Sequence, residues 1–313
     1  MLRIDEPTVD RVMSWDRLVQ RMIDGHRLQK PEAGDILVRL GTNAIFVRTA
    51  GIEGLGFAVK AVTVFPDNPP PVPSIQGEVL LFDREQGQII ASINAAAETR
   101  WKTAGDSALG SKLLSREDSR SLLMIGAGTM SEPLIRAHMA VRPGIERVAI
   151  WNRTAARAEA VAGRLADLKR PVAVASDLAG AVAEADIVTC AVMCAKPVLE
   201  GRWLKPGAHV DLVGAYRLDM READDEVMRR GRIFVNYRGS TIGHIGEIET
   251  PLKAGIIRKE DILADLYDLV GGTPGRRAND EITVYKNGGG AHLDLMTALA
   301  IVEGVKAEGA VHR

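Results

Sequence analysis

The chain has 313 residues, 46% of them hydrophobic and 26% charged, with a formal net charge of -1. That length allows two domains, each with its own core, and the near-neutral balance argues against a nucleic-acid binder that works by neutralising phosphates. No apolar run approaches the roughly 20 residues of a membrane-spanning helix, so no membrane partner is expected. Residues 1–7 lack the apolar core of a signal peptide, and a cytoplasmic protein is expected. The six histidines show no metal-ligand spacing, so no metal site is expected. Cys190 and Cys194, in an apolar segment, read as buried free thiols of a reducing compartment.

In chain order, an apolar stripe of Val9, Val12, Met13, Leu18, Val19, Met22 and Ile23 predicts a helix over residues 8–29. Strands are predicted over residues 35–40, 44–48, 55–65, 78–83 and 89–93. The turn residues Gly41-Thr42-Asn43 and Arg84-Glu85-Gln86-Gly87 suit hairpins, and residues 66–73 form a proline-rich rigid loop. This half reads as antiparallel α+β. Residues 95–115 form a helix rich in small side chains, suited to close packing at a cofactor or a domain junction. From Ser121 the rhythm changes to strands at 121–125, 147–151, 172–175, 187–192, 209–213 and 233–235, with helices at 131–139 and 155–168. That alternation implies a parallel sheet covered by helices on both faces. Late helices are predicted over 263–270 and 291–307, the last returning to the first domain.

The stretch Ser121-Leu122-Leu123-Met124-Ile125-Gly126-Ala127-Gly128-Thr129-Met130-Ser131 carries the clearest chemistry. A buried strand, a glycine turn and the start of a helix form a dinucleotide-phosphate site. Gly126 permits the tight turn, Gly128 lets backbone approach a pyrophosphate, and the helix N-terminus offers free N–H groups to the anion. Ser131, standing at the third glycine of the usual pattern, still allows close packing. The next strand ends in Trp151-Asn152-Arg153-Thr154, with no carboxylate to accept from a ribose 2′-OH. Asn152 and Thr154 donate hydrogen bonds and Arg153 can pair with a 2′-phosphate, so NADP(H) is expected over NAD(H). The other reading of Arg153 is a solvated charge.

Several segments together resemble the ornithine cyclodeaminase/mu-crystallin family. They include Leu55-Gly56-Phe57-Ala58-Val59-Lys60, Pro73-Ser74-Ile75-Gln76-Gly77, Lys102-Thr103-Ala104, and the glycine turn through Met130. Ile150-Trp151-Asn152-Arg153-Thr154, Val213-Gly214-Ala215-Tyr216-Arg217 with residues 220–226, and Thr283-Val284-Tyr285-Lys286-Asn287 continue it in the expected order. The resemblance implies an α/β protein in which a Rossmann-type doubly wound parallel sheet, residues 116–287, is inserted into an α+β substrate-binding and dimerisation domain, residues 1–115 plus 288–313. It also implies a homodimer, a nicotinamide cofactor, a small imino- or amino-acid substrate and hydride chemistry at a carbon–nitrogen bond.

By the same resemblance Lys60 is the active-site lysine; otherwise it is an edge-strand lysine reaching solvent. Lys102 stands where the family has a carboxylate-clamping arginine, keeping the charge and losing the fork. Arg48 can supply a missing cation, or is a surface arginine. Tyr216 stands where cyclodeaminases carry an acid/base aspartate, and a phenol cannot serve as a carboxylate base near pH 7. Ser74, Thr103, Thr129, Met130, Val213 and Asn287 are read as cofactor neighbours, with turn or helix-cap roles as the alternative for Ser74 and Thr103. His292 reads as a helix residue rather than a catalyst. The expected activity is NADP(H)-dependent reduction of a cyclic imino acid of the pyrroline- or piperideine-2-carboxylate type, with Lys60 and Lys102 catalytic and Arg48 and Tyr216 near the substrate. Ornithine cyclodeaminase with recycled NAD, or an inactive cofactor-bound binding protein, are the alternatives.

Overall fold

The computed structural model describes residues 1–311, so the last two positions of the expected 288–313 segment lie outside the described residues. The chain divides into two compact units, one formed by Met1–Thr103 with the segment from Gly290 onward, the other by Ala104–Gly289. The division between Thr103 and Ala104 lies inside the helix Ala95–Leu114.

The chain opens with β1 (Leu2–Ile4), α1 (Glu6–Val12) and α2 (Trp15–His26). The single helix expected over 8–29 is therefore two. Met13 turns extended, and the Ser14 side chain accepts a hydrogen bond from the Arg17 amide at 3.3 Å, starting the second. There follow β2 (Glu32–Leu40), β3 (Asn43–Ile52), β4 (Gly56–Val64), β5 (Ile75–Phe82), β6 (Ile89–Asn94) and α3 (Ala95–Leu114). The sheet order is β1-β6-β5-β4-β3-β2. Its five main strands are antiparallel as expected, but β1 joins β6 in parallel. Register places Asp35 opposite Arg48 and Arg48 opposite Lys60.

The second unit runs β7 (Ser121–Ile125), α4 (Ser131–Val141), β8 (Arg147–Trp151), α5 (Ala155–Arg164), β9 (Val172–Val174), α6 (Leu178–Glu184) and β10 (Ile187–Cys190). It continues through β11 (His209–Leu212), α7 (Asp225–Arg230), β12 (Gly231–Val235), α8 (Arg238–Thr241), α9 (Gly246–Lys253), β13 (Ile262–Ala264), α10 (Leu266–Val270) and β14 (Ile282–Lys286). The helix expected over 263–270 is thus a short strand and a short helix. Asp265 separates them, its side chain accepting from the Asp268 amide at 3.2 Å. All eight strands are parallel, in the order β13-β12-β14-β11-β10-β7-β8-β9. This is the doubly wound α/β sheet. The chain leaves β7 toward β8 and β9, then returns to β10 on the other side, which makes the carboxyl ends of β7 and β10 the switch point where such sheets bind ligands. Its core is built from Leu123, Ile125, Val188, Val210, Leu212 and Val284. The small side chains of α3 serve packing here: a Cβ on Gly110 would meet the Tyr285 ring at 2.6 Å.

The last helix, α11 (Ala291–Val311), belongs to the first unit and packs on α2, β3, β4 and β5. Among the described residues no helix is long and apolar enough to cross a membrane.

Candidate active site

Three of the cations singled out from the sequence come together in the first unit. Lys60 on β4 and Lys102 on α3 are each only 6% exposed, and Arg48 lies beside Lys60 across the β3–β4 ladder. The residues that hold them in place were not anticipated. Glu98, one turn before Lys102 on α3, accepts a hydrogen bond from Lys60 Nζ at 2.6 Å. Asp294, in the first turn of α11, lies 3.3 Å from both Lys60 Nζ and Lys102 Nζ. Lys60 Nζ also donates to Thr99 Oγ1.

An ammonium has three N–H donors and no acceptor. Those of Lys60 are all taken, by Glu98, Thr99 and Asp294. Lys102 makes only its ion pair to Asp294 among the described residues, which leaves donors for a ligand. Arg48 directs Nε and Nη2 to the Asp35 carboxylate at 3.2 and 3.1 Å. In this arrangement Lys60 braces the cluster and Lys102 presents the usable charge.

Titration behaviour follows the same geometry. Burial acts against the Lys60 ammonium, but Asp294 and Glu98 outweigh it and raise its pKa. For Lys102 burial wins: its pKa is lowered, opposed by Asp294 and assisted by Lys60. Asp294 resists burial because Lys102 and Lys60 hold it down to about 2. Glu98 is pushed up to about 7 by burial, against the pull of Lys60. His292 is buried in α11 with its ring edge-on to His26 at 5.6 Å between centroids, and burial holds its pKa well below the ordinary value. A neutral, packed imidazole agrees with the structural role expected of it. Ser74 is an exposed loop residue whose carbonyl accepts from the Phe65 amide. Thr103 sits in the middle of α3, so it is not a helix cap.

In the second unit the glycine turn fits a dinucleotide. Gly126 has φ +120°, and a Cβ there would meet the Ala191 carbonyl at 2.9 Å, so glycine is required. A Cβ at the exposed Gly128 would meet nothing within 4 Å, leaving its backbone open to a ligand. The α4 N-terminus at Met130 has no side-chain cap, which leaves first-turn N–H groups without a side-chain partner. Ser131 Oγ donates to the Gly126 carbonyl at 3.1 Å, locking the turn. Past β8, Asn152 Nδ2 donates to the Thr154 carbonyl at 2.9 Å, and Arg153 is exposed with no ion pair among the described residues. Val213 continues β11, its amide donating to the Cys190 carbonyl. Asn287, buried after β14, donates to Ser107 Oγ at 3.0 Å. Tyr216 is 56% exposed, its ring beneath the Arg217 guanidinium.

A buried carboxylate missed in the sequence organises the strand ends. Glu222 accepts from the Val192 amide at 2.9 Å, the Gly214 amide at 2.6 Å and the Ala215 amide at 3.1 Å. Glu247 in turn accepts from the Glu222 and Ala223 amides, and Lys286 lies 3.8 Å from Glu222. Burial pushes Glu222 up to about 7 although Lys286 opposes it. Of the two cysteines, Cys190 is buried and free as expected, whereas Cys194 is free but only half-buried, its thiol turned to the Arg221 carbonyl. Among the described residues no group of three or more His, Cys, Asp or Glu could hold a metal.

The chain is similar to several known proteins. A sequence profile of the ornithine cyclodeaminase/mu-crystallin family matches residues 47–309. Over 288 residues the chain is 47% identical to a Delta(1)-pyrroline-2-carboxylate reductase of Paracoccus denitrificans, covering 91% of each chain. The structure of the Thermococcus litoralis Delta(1)-pyrroline-2-carboxylate reductase in complex with NADH and L-proline superposes with a TM-score of 0.91 at 26% identity, covering 99% of this chain and 98% of that one. The iminosuccinate reductase of Paracoccus denitrificans in complex with NAD+ gives a TM-score of 0.91 at 26% identity, covering 99% and 97%.

Proposed function

Because the chain belongs to the ornithine cyclodeaminase/mu-crystallin family, we propose that it reduces a cyclic imino acid of the pyrroline- or piperideine-2-carboxylate type, with NADP(H) preferred over NAD(H). The observation that carries this reading is Lys102, a buried ammonium with donors to spare and a lowered pKa. In a 2-imino carboxylate the nitrogen and one carboxylate oxygen share an edge of the planar N=C–C–O unit. One ammonium with two available N–H groups bridges both, neutralising the carboxylate and giving a proton to nitrogen. A bound nicotinamide supplies the hydride for the imine carbon. The backbone of Gly126, Gly128, Thr129 and Met130 would hold its pyrophosphate, and Asn152, Arg153 and Thr154 the ribose end. Val213 and Asn287 would lie at the nicotinamide.

The rival cyclodeaminase reading needs a carboxylate where Tyr216 stands, and reduction does not. Turnover with NADPH against cyclic imino acids and against ornithine tests the choice. Net NADPH oxidation with a cyclic imine is expected; proline and ammonia from ornithine without added NADPH would sink the reductase. Absence of turnover with every imino and keto acid favours the binding-protein alternative. Arg153→Ala should raise KM for NADPH about tenfold through loss of its phosphate contact and leave KM for NADH unchanged. Equal use of NADH and NADPH by the unaltered protein would refute the cofactor preference.

The protein is also proposed to be a homodimer, joined through the first unit. Strand β2 is exposed along its whole length, yet carries Ile36, Leu37, Val38 and Leu40 at a sheet edge. An apolar edge strand invites pairing. Leu37→Lys should halve the mass measured by light scattering; a wild-type mass near the 33.8 kDa of one chain would contradict the dimer.

A further inference from the structure

The core of the first-unit cluster is electrically balanced as it stands. Lys60 and Lys102 supply two positive charges and Glu98 and Asp294 two negative, all four being buried. Arg48 pairs separately with Asp35 nearer the surface. A ligand carboxylate that docks on Lys102 brings one more negative charge beside these four buried groups, and an uncompensated buried charge is costly. One group must therefore change its protonation. Asp294 is pinned between two ammonium groups. Among the described residues Glu98 is hydrogen-bonded through Oε2 to Lys60, and its buried Oε1 has no hydrogen-bond partner, a place where a proton can reside.

We propose that Glu98 takes up a proton when a carboxylate ligand enters the Lys102 site, so that anion and proton are bound together. The inference rests on the functional reading above and goes further, since it makes recognition of a monoanionic carboxylate dependent on a residue that does not touch the ligand. The charged and titratable groups facing Glu98 and its partners are Lys60 from β4, Lys102 from α3 itself, Asp294 and His292 from α11, and the Arg48–Asp35 pair from β3 and β2. His292 stays neutral across the relevant range, because burial depresses its pKa. The sign follows from the raised pKa of Glu98, about 7 in the free protein. Well below that value Glu98 is already protonated and no uptake occurs. Above it, uptake approaches one proton per ligand, and affinity weakens as pH rises.

Pyrrole-2-carboxylate is a suitable probe: it is a planar five-membered ring acid whose N–H does not titrate near neutrality. Its binding to the protein saturated with reduced nicotinamide cofactor should be measured by calorimetry in buffers of different ionisation enthalpy. Near pH 8 the expected uptake is close to one proton, with Kd weakening up to tenfold per pH unit above about 7. Glu98→Gln, a neutral isostere of the protonated acid, should bind the probe with no uptake and a pH-independent Kd, while kcat is changed less than the pH dependence of KM. Zero uptake by the wild type overturns the inference, as does uptake retained in Glu98→Gln, which would assign the proton to Lys102. Should that variant fail to fold, Glu98→Asp decides: the pH at which uptake begins should move with the altered carboxyl, and an onset that does not move assigns the proton to Lys102 and refutes the inference. A probe that binds at no pH overturns the carboxylate site and this inference with it; imine turnover together with probe binding that takes up no proton overturns this inference alone.

Discussion

Lys102→Met is expected to lower kcat/KM for a cyclic imino acid by about three orders of magnitude, the scale of a lost general acid that is also the carboxylate anchor. The methionine stem fills the same volume, and Asp294 keeps Lys60 as its counter-charge at 3.3 Å. Glu98 and Asp294 then share one ammonium, so the fold should persist with Glu98 protonated, its pKa already being about 7, and cofactor binding, followed by quenching of tryptophan fluorescence, should stay within a factor of about two of wild type, because the dinucleotide turn belongs to the other unit. If Lys102→Met retains more than a tenth of wild-type activity, the assignment of the free ammonium as anchor and acid fails.

Lys60→Met should behave in the opposite way. Its three donors serve Glu98, Thr99 and Asp294, so its loss strands buried carboxylates. Breaking a buried pair from one side costs on the order of 3–5 kcal/mol, roughly 10 °C in melting temperature for a chain of this size. Removing the partner as well, in Lys60→Met/Glu98→Leu, should recover most of that loss, since Asp294 then pairs with Lys102 and no charge is left alone. Thermal melts of the single and double variants check this. A stable Lys60→Met that is as inactive as Lys102→Met would show that Lys60 meets the substrate directly and that the two roles are exchanged.

The two lysines illustrate what local sequence can and cannot reveal. The turn at Gly126 was legible because strand, glycines and helix follow one another within a few positions, and each step has its own periodicity. Lys60 stood out as a charge inside an apolar strand. Its partners did not, because Asp294 lies 234 positions away and only the tertiary fold brings the two into contact. A weak local signal for Glu98 existed: it precedes Lys102 by one turn on an alanine-rich helix, where an exposed i, i+4 pair would be unremarkable. Nothing local says that this pair is buried. The same reasoning covers the helices α6 to α9, each too short to develop a periodic pattern, and β1, whose three residues pair only through β6. The cap role that stood as the alternative for Thr103 falls away because the helix begins at Ala95, eight positions earlier.

The Glu222 carboxylate has a mechanical consequence. One rigid group holds the backbone after β10, at Val192, and the backbone after β11, at Gly214 and Ala215. The two loops therefore share a single hinge point and cannot be adjusted separately. A substitution that displaces either one pulls on the other through the same two oxygens. Attempts to redesign the cofactor end of this sheet will find that changes in the two loops compensate or compound each other, and that neither loop has an optimum of its own.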